Sequence, residues 1–211
     1  MPDAADKTEL IGFLTVIEHQ KFGLIGGFLV LNPAGRPVEF HCTSPVKANR
    51  AQEILYGNSL YPFLYGEQIG QTLVSKSRSS IDYLFTDSVP VLAVQDFIET
   101  PTVYVCCPDE VSGFGEGVEQ SLRSFGIEPE KSETISLRPN PGSKGLCDIP
   151  GLSVARWQPL RLGNCFLSVP AESSESLEMH RRRLACLMKT LDFVEPFERI
   201  RLAVDEAQKA A

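Results

Sequence analysis

Residues 26–43 read GGFLVLNPAGRPVEFHCT, and the reading of this stretch decides the fold class. Asn32-Pro33-Ala34-Gly35 carries the residues of a type I turn, with Asn first, Pro second and Gly fourth. The turn joins GGFLVL to RPVEFHCT, and the second arm alternates: Val38, Phe40 and Cys42 face one way, Glu39, His41 and Thr43 the other. The spacing predicts a β-hairpin. Upstream, residues 11–18 (IGFLTVIE) are apolar on both alternating faces, as a central strand covered on both sides must be. Three antiparallel strands therefore open the chain.

Working outward, Ser44-Pro45 supplies an N-cap followed by proline at the first helical position, so a helix is expected from there to Gly57. Tyr61, Tyr65, Ile69 and Leu73 recur every four residues and predict a second helix, entered from Asn58-Ser59. Residues 81–85 and 102–107 read as strands, and SVPVLAVQDFI between them suits either a strand or a helix started at Ser88 and Pro90. A helix over 119–125, a strand over 133–137 and a Pro- and Gly-rich loop over 138–151 are expected next. Two short strands follow, near 154–158 and 165–169. Leu177, Leu184, Leu187 and Leu191 then form one helical stripe capped by Ser173 or Ser174, and Pro196 opens a last helix whose Phe197, Ile200, Val204 and Ala207 share a face.

The whole is an α/β chain: a mixed sheet with an N-terminal antiparallel three-stranded unit, flanking helices and two C-terminal helices. It reads as a single domain over 1–211, with 152–211 as a semi-separate lobe. The longest apolar run, Phe22 to Leu31, contains three Gly and falls short of the roughly 20 residues that span a bilayer, so no membrane partner is expected. The opening MPDAADKTEL has neither a basic nor an apolar export segment, so a cytoplasmic location is expected. The net charge is −7 and neither half is basic, so nucleic acid is not an expected partner. The six cysteines contain no C-x-x-C pair, and no resident cofactor is expected. They read as structural thiols without a disulfide framework, Cys42 as a core residue beneath an exposed His41.

Two groups of residues are candidate sites. Cys106 ends a predicted strand and is followed by SGFGEG, where Gly113, Gly115 and Gly117 suggest a small-ligand loop; the surrounding Asp109, Glu110, Glu116 and Glu119 argue against a phosphate and for a surface loop. Glu18 ends the first strand, Glu53 lies on the first helix and Asp87 follows the strand IDYLF, and carboxylates on separate elements can converge to hold Mg²⁺ or Mn²⁺. The run His180-Arg181-Arg182-Arg183 fans around a helix and reads as a solvated face. Trp157 reads as core or as cover for a sheet edge.

At these residues the order of elements resembles the ribonuclease H-like fold over residues 13–107. NRAQE (49–53) is similar to that family's helix start with its metal-binding Glu, and YLFTDS (83–88) to its strand followed by Thr-Asp-Ser. The resemblance implies metal-dependent cleavage of nucleic acid, with Glu53 and Asp87 at matching positions; the chain departs from the family in offering Glu18-His19, not Asp, on the first strand. The main expectation remains a cytoplasmic protein-interaction or regulatory module with no catalytic centre, binding a protein or a second copy through an exposed apolar strip on the C-terminal helices. A metal-dependent nuclease using Glu18, Glu53 and Asp87 is the alternative, and a small-ligand site beside Cys106 the third reading.

Overall fold

The computed structural model describes residues 9–19, 21–106, 156–171 and 175–209. The helix expected over 119–125, the strand over 133–137, the loop over 138–151 and the glycines Gly113, Gly115 and Gly117 lie outside them.

The opening hairpin forms where its turn residues demand it. Gly35 donates its N–H to the Asn32 carbonyl at 2.9 Å with φ at +72°, and the Asn32 side chain accepts from the Ala34 and Arg36 amides. β1 (Ile11–His19), β2 (Gly23–Leu31) and β3 (Pro37–Cys42) pair antiparallel in sequence. β4 (Tyr83–Thr86) then adds parallel to β1 on the side away from β2, and β5 (Thr102–Cys106) parallel to β4. β6 (Trp157–Leu162) and β7 (Cys165–Pro170) complete a seven-stranded mixed sheet of order β3-β2-β1-β4-β5-β7-β6. This is the α/β architecture with the antiparallel three-stranded unit at its start.

Helices cover both faces. α1 (Arg50–Tyr56) begins at Asn49, whose side chain and that of Gln52 form a reciprocal capping box. It does not begin at Ser44-Pro45, because Leu24 and Val46 exchange backbone hydrogen bonds at 2.8 and 2.7 Å and hold that stretch extended beside β2. α2 runs over residues 60–76, its middle, Phe63–Gln71, wound as a π-helix. The ambiguous stretch after β4 is a 3₁₀-helix, Val89–Asp96, with Pro90 in its first turn. α3 (Leu177–Leu187) is capped by Ser176, two residues beyond Ser174, the later of the two expected caps, and α4 (Glu195–Lys209) follows.

Strand alternation divides the core in two. Odd-numbered Ile11 and Phe13 of β1, with Tyr83 and Phe85 of β4, pack under Leu184, Leu187, Phe197, Ile200 and Val204 of α3 and α4. Even-numbered Leu14, with Phe28 and Leu84, packs under Leu64, Tyr65, Ile69 and Leu73 of α2. Most of the apolar strip expected to be exposed on the C-terminal helices is covered instead: Leu184, Leu187, Leu191, Phe197, Ile200 and Val204 are buried under the wide sheet, Leu177 is half-buried, and Ala207 alone of the two stripes is exposed.

Two expectations for individual side chains are also corrected. Cys42 is exposed and His41 half-buried against Phe28, since β3 is the edge strand of the sheet. Cys165 is disulfide-bonded, against the expectation of free thiols throughout, whereas Cys42, Cys106 and Cys186 are free. Trp157 is buried. Among the described residues no helix is long and apolar enough to cross a membrane.

Candidate functional site

β4 is short, buried along its whole length, and ends at Thr86, whose hydroxyl accepts the Ser88 amide and turns the chain into the 3₁₀-helix. Asp87 is thus the first residue beyond the carboxyl end of a central parallel strand. The chain leaves β1 toward β2 and β3, then returns through α1 and α2 to lay β4 on the opposite side of β1. That reversal makes the gap at the carboxyl ends of β1 and β4 a topological switch point, where open sheets of this kind hold their ligands.

Leu14 pairs with Thr86 across β1 and β4, so Thr15 and Asp87 are neighbours at this edge and share the face that carries α4. Thr15 is 2% exposed. From α4, Arg201 places Nη2 on the Oδ2 of Asp87 and Nη1 on Glu198 at 2.9 Å. The two side chains of the Asp87–Arg201 pair are 20% and 28% exposed, so the ion pair is largely withdrawn from water without being sealed. Oδ1 of Asp87 is buried and has no hydrogen-bond partner among the described residues. Burial pushes the Asp87 carboxyl above the ordinary carboxylate range, and Arg201 and the Thr15 hydroxyl pull it back down.

The structure does not bring Glu18 and Glu53 to this carboxylate. Glu18 has the parity of Leu14 and Val16 and lies on the α2 side of the sheet, where its charge, after burial, helps to raise Tyr65 to about 12. Glu53 is exposed on α1, which leads into α2, and is ion-paired with Arg50 at 2.9 Å. The sheet therefore separates Glu18 and Glu53 from Asp87. No group of three or more His, Cys, Asp or Glu among the described residues could hold a metal ion. Asp87 with Thr15 and Arg201 does not fit Mg²⁺ or Mn²⁺, which are held by clustered oxygen ligands and not by one carboxylate already facing a guanidinium. Cys106 is buried in a small cluster with Leu92, Tyr104 and Trp157, and burial raises its thiol to about 11, far from a thiolate at neutral pH.

A second polar cluster escaped the sequence reading. His180 is fully buried, its Nδ1 2.9 Å from the Tyr83 hydroxyl and 3.5 Å from Glu175. Arg183 joins Glu175 at 2.6 Å and Glu9 at 3.1 Å. The basic run is thus split between core and surface, not a uniformly solvated face. The cluster borders a cavity of about 380 Å³ at the amino end of β4, lined by Asp82, Gln95, Trp157, Glu175 and Arg183. Its acids and bases satisfy one another, and it ties α3 to the sheet. In sequence, the available signal was the place of His180 four residues before Leu184 and seven before Leu187, on the apolar face of α3.

No family model and no curated protein matches the chain. Among solved structures, it is similar to the catalytic domain of human endonuclease V, at 15% identity and a TM-score of 0.49 over 97% of this chain and 84% of that one. It is similar also to Ciona intestinalis endonuclease V in complex with a 23mer DNA containing an inosine followed by a ribo-adenosine, at 14% identity and a TM-score of 0.48 over 98% and 88%. A Marinitoga piezophila Argonaute in complex with a 5′ OH guide RNA gives 10% identity and a TM-score of 0.37 over 89% of this chain and 27% of that one. These findings overturn the expectation of a non-catalytic protein-interaction module for which nucleic acid is not a partner: the similar structures are nucleases or hold nucleic acid. Neither part of that expectation is carried forward. At these identities and TM-scores the likeness assigns no role to any residue of this chain.

Proposed function

We propose that this protein is a nuclease, an enzyme that hydrolyses phosphodiester bonds of nucleic acid at the carboxyl edge of β1 and β4. The observation that carries the reading is the placement of Asp87: an acid at the switch point of the sheet, raised by burial, with one carboxylate oxygen unpartnered. Hydrolysis forms a bond from the oxygen of water to phosphorus, breaks one P–O ester bond, and delivers a proton to the departing oxygen. A carboxylate raised by burial is a better proton acceptor for the attacking water than one at its ordinary value. Thr15 on β1 supports the same edge with a hydroxyl on the same face, and Arg201 supplies positive charge beside it.

The conservative variant Asp87→Asn tests this reading, because it keeps the shape of the side chain and removes its capacity to accept a proton. Cleavage of labelled DNA or RNA should fall by about 100-fold or more, in the range of a lost general base. Undiminished cleavage by a folded Asp87→Asn protein would refute the assignment.

A further inference from the structure

We infer that Arg201 is the resident cation of this site: the Asp87 carboxylate takes its counter-charge from the guanidinium of α4 and not from a divalent metal ion, so the edge meets a phosphodiester without one. The nature of the substrate in this inference rests on the nuclease reading; the pairing itself does not.

Three features of the molecule converge on it. The first is that the sheet divides the carboxylates. A divalent ion at Asp87 would need further oxygen ligands on the α4 face, and there β1 offers a neutral threonine, Thr15, while Glu18 points to the α2 face. The second is that Arg201 already engages Oδ2, and a metal ion entering at the same carboxylate would face a permanently charged guanidinium. The third is that Arg201 is held in place by the packing of its helix. Phe197, Ile200 and Val204 are buried against the sheet, and Ile200 lies over Gly27 so closely that a Cβ there would stand 2.2 Å from its Cγ2. Arg201, next in sequence, is thereby aimed at the end of β4. Glu198, one turn back, braces Nη1 at 2.9 Å and fixes the plane of the fork.

The experiment uses the full chain as wild type, Asp87→Asn, Arg201→Gln and Arg201→Lys. Thermal unfolding is followed with MnCl₂ up to about 10 mM, where a site with a Kd of about 0.1 mM would raise the Tm by several degrees. The inference predicts no saturable rise that distinguishes wild type from Asp87→Asn. It predicts that without metal Arg201→Gln lowers the Tm and Arg201→Lys recovers part of the loss, because Lys keeps the charge but not the fork. A saturable Mn²⁺-dependent rise in wild type that Asp87→Asn abolishes would overturn it, as would an unchanged Tm in Arg201→Gln. Cleavage of a labelled oligonucleotide in EDTA and in MgCl₂ separates this inference from the reading it rests on. Equal rates in the two buffers are expected. Cleavage abolished by EDTA overturns the inference and leaves the nuclease standing; no cleavage in either buffer, with the Mn²⁺ result as predicted, overturns the nuclease and leaves the pairing.

Discussion

Asp87 and Arg201 stand 114 residues apart in the chain, and each is withdrawn from water on the strength of the other. Removing one partner of such a pair leaves a charge without compensation, whereas removing both does not. A double-mutant cycle on Asp87→Asn and Arg201→Gln, read by urea unfolding, should therefore show a coupling of about 1–3 kcal/mol. Additive losses would mean that the pair contributes nothing beyond its separate side chains. Glu39 presents a different electrostatic case. Hydrogen bonds from Ser79 and His41 lead those that hold its carboxyl down to about 2, against a small opposing effect of burial. A carboxyl lowered by folding contributes stability that is present above its unfolded pKa and is lost as pH falls through the folded one. Wild type should lose that contribution between the ordinary value of 4.5 and about 2, and Glu39→Gln should show a flatter acid limb in unfolding titrations across that window. Parallel limbs would show that the hydrogen bonds do not discriminate the charged form.

At the scale of elements, the molecule is held together where both helix layers meet one pair of glycines. A Cβ at Gly26 would stand 2.2 Å from Ile69 Cγ2 of α2, and one at Gly27 the same distance from Ile200 Cγ2 of α4. Successive strand residues face opposite sides, so Gly26-Gly27 lets a helix settle closely on each. Gly27→Val should cost about 1–3 kcal/mol by overpacking, and it should weaken the Asp87–Arg201 coupling by lifting α4; Tm and a repeated double-mutant cycle would check both. The hairpin around these glycines was legible because its turn chemistry and strand alternation are local. The start of α1 was not. Ser44-Pro45 has the residues of a helix start, but the backbone pairing of Val46 with Leu24 outweighs that propensity and moves the cap to Asn49. The π-helical course of α2 was likewise hidden, although apolar residues four apart gave its buried stripe correctly at Tyr65, Ile69 and Leu73 but not at Tyr61, which is exposed.

At the scale of the whole molecule, the element order was readable, and with it the place of Asp87 at a strand end. The partners of Asp87 were not, because they depend on which face of the sheet each element covers. Glu18 fails as a partner by strand parity and Glu53 by the layer its helix joins, while Thr15 and Arg201 had no signal beyond being a strand threonine and a helical arginine. The same global property decided the C-terminal stripes, which look too apolar for a small sheet edge and are covered along most of their length by a seven-stranded one. Net charge misled in the same way: a sum of −7 says nothing about one guanidinium set at a strand end. The central claim is that this edge of the sheet cleaves nucleic acid through Asp87. Its most direct test is a cleavage assay on a panel of end-labelled single-stranded and duplex DNA and RNA, comparing wild type with Asp87→Asn, each shown folded by its Tm. The account predicts cleavage of at least one substrate by wild type and a loss of about 100-fold or more in Asp87→Asn. Failure of wild type to cleave any member of the panel, or equal cleavage by the two proteins, would contradict it.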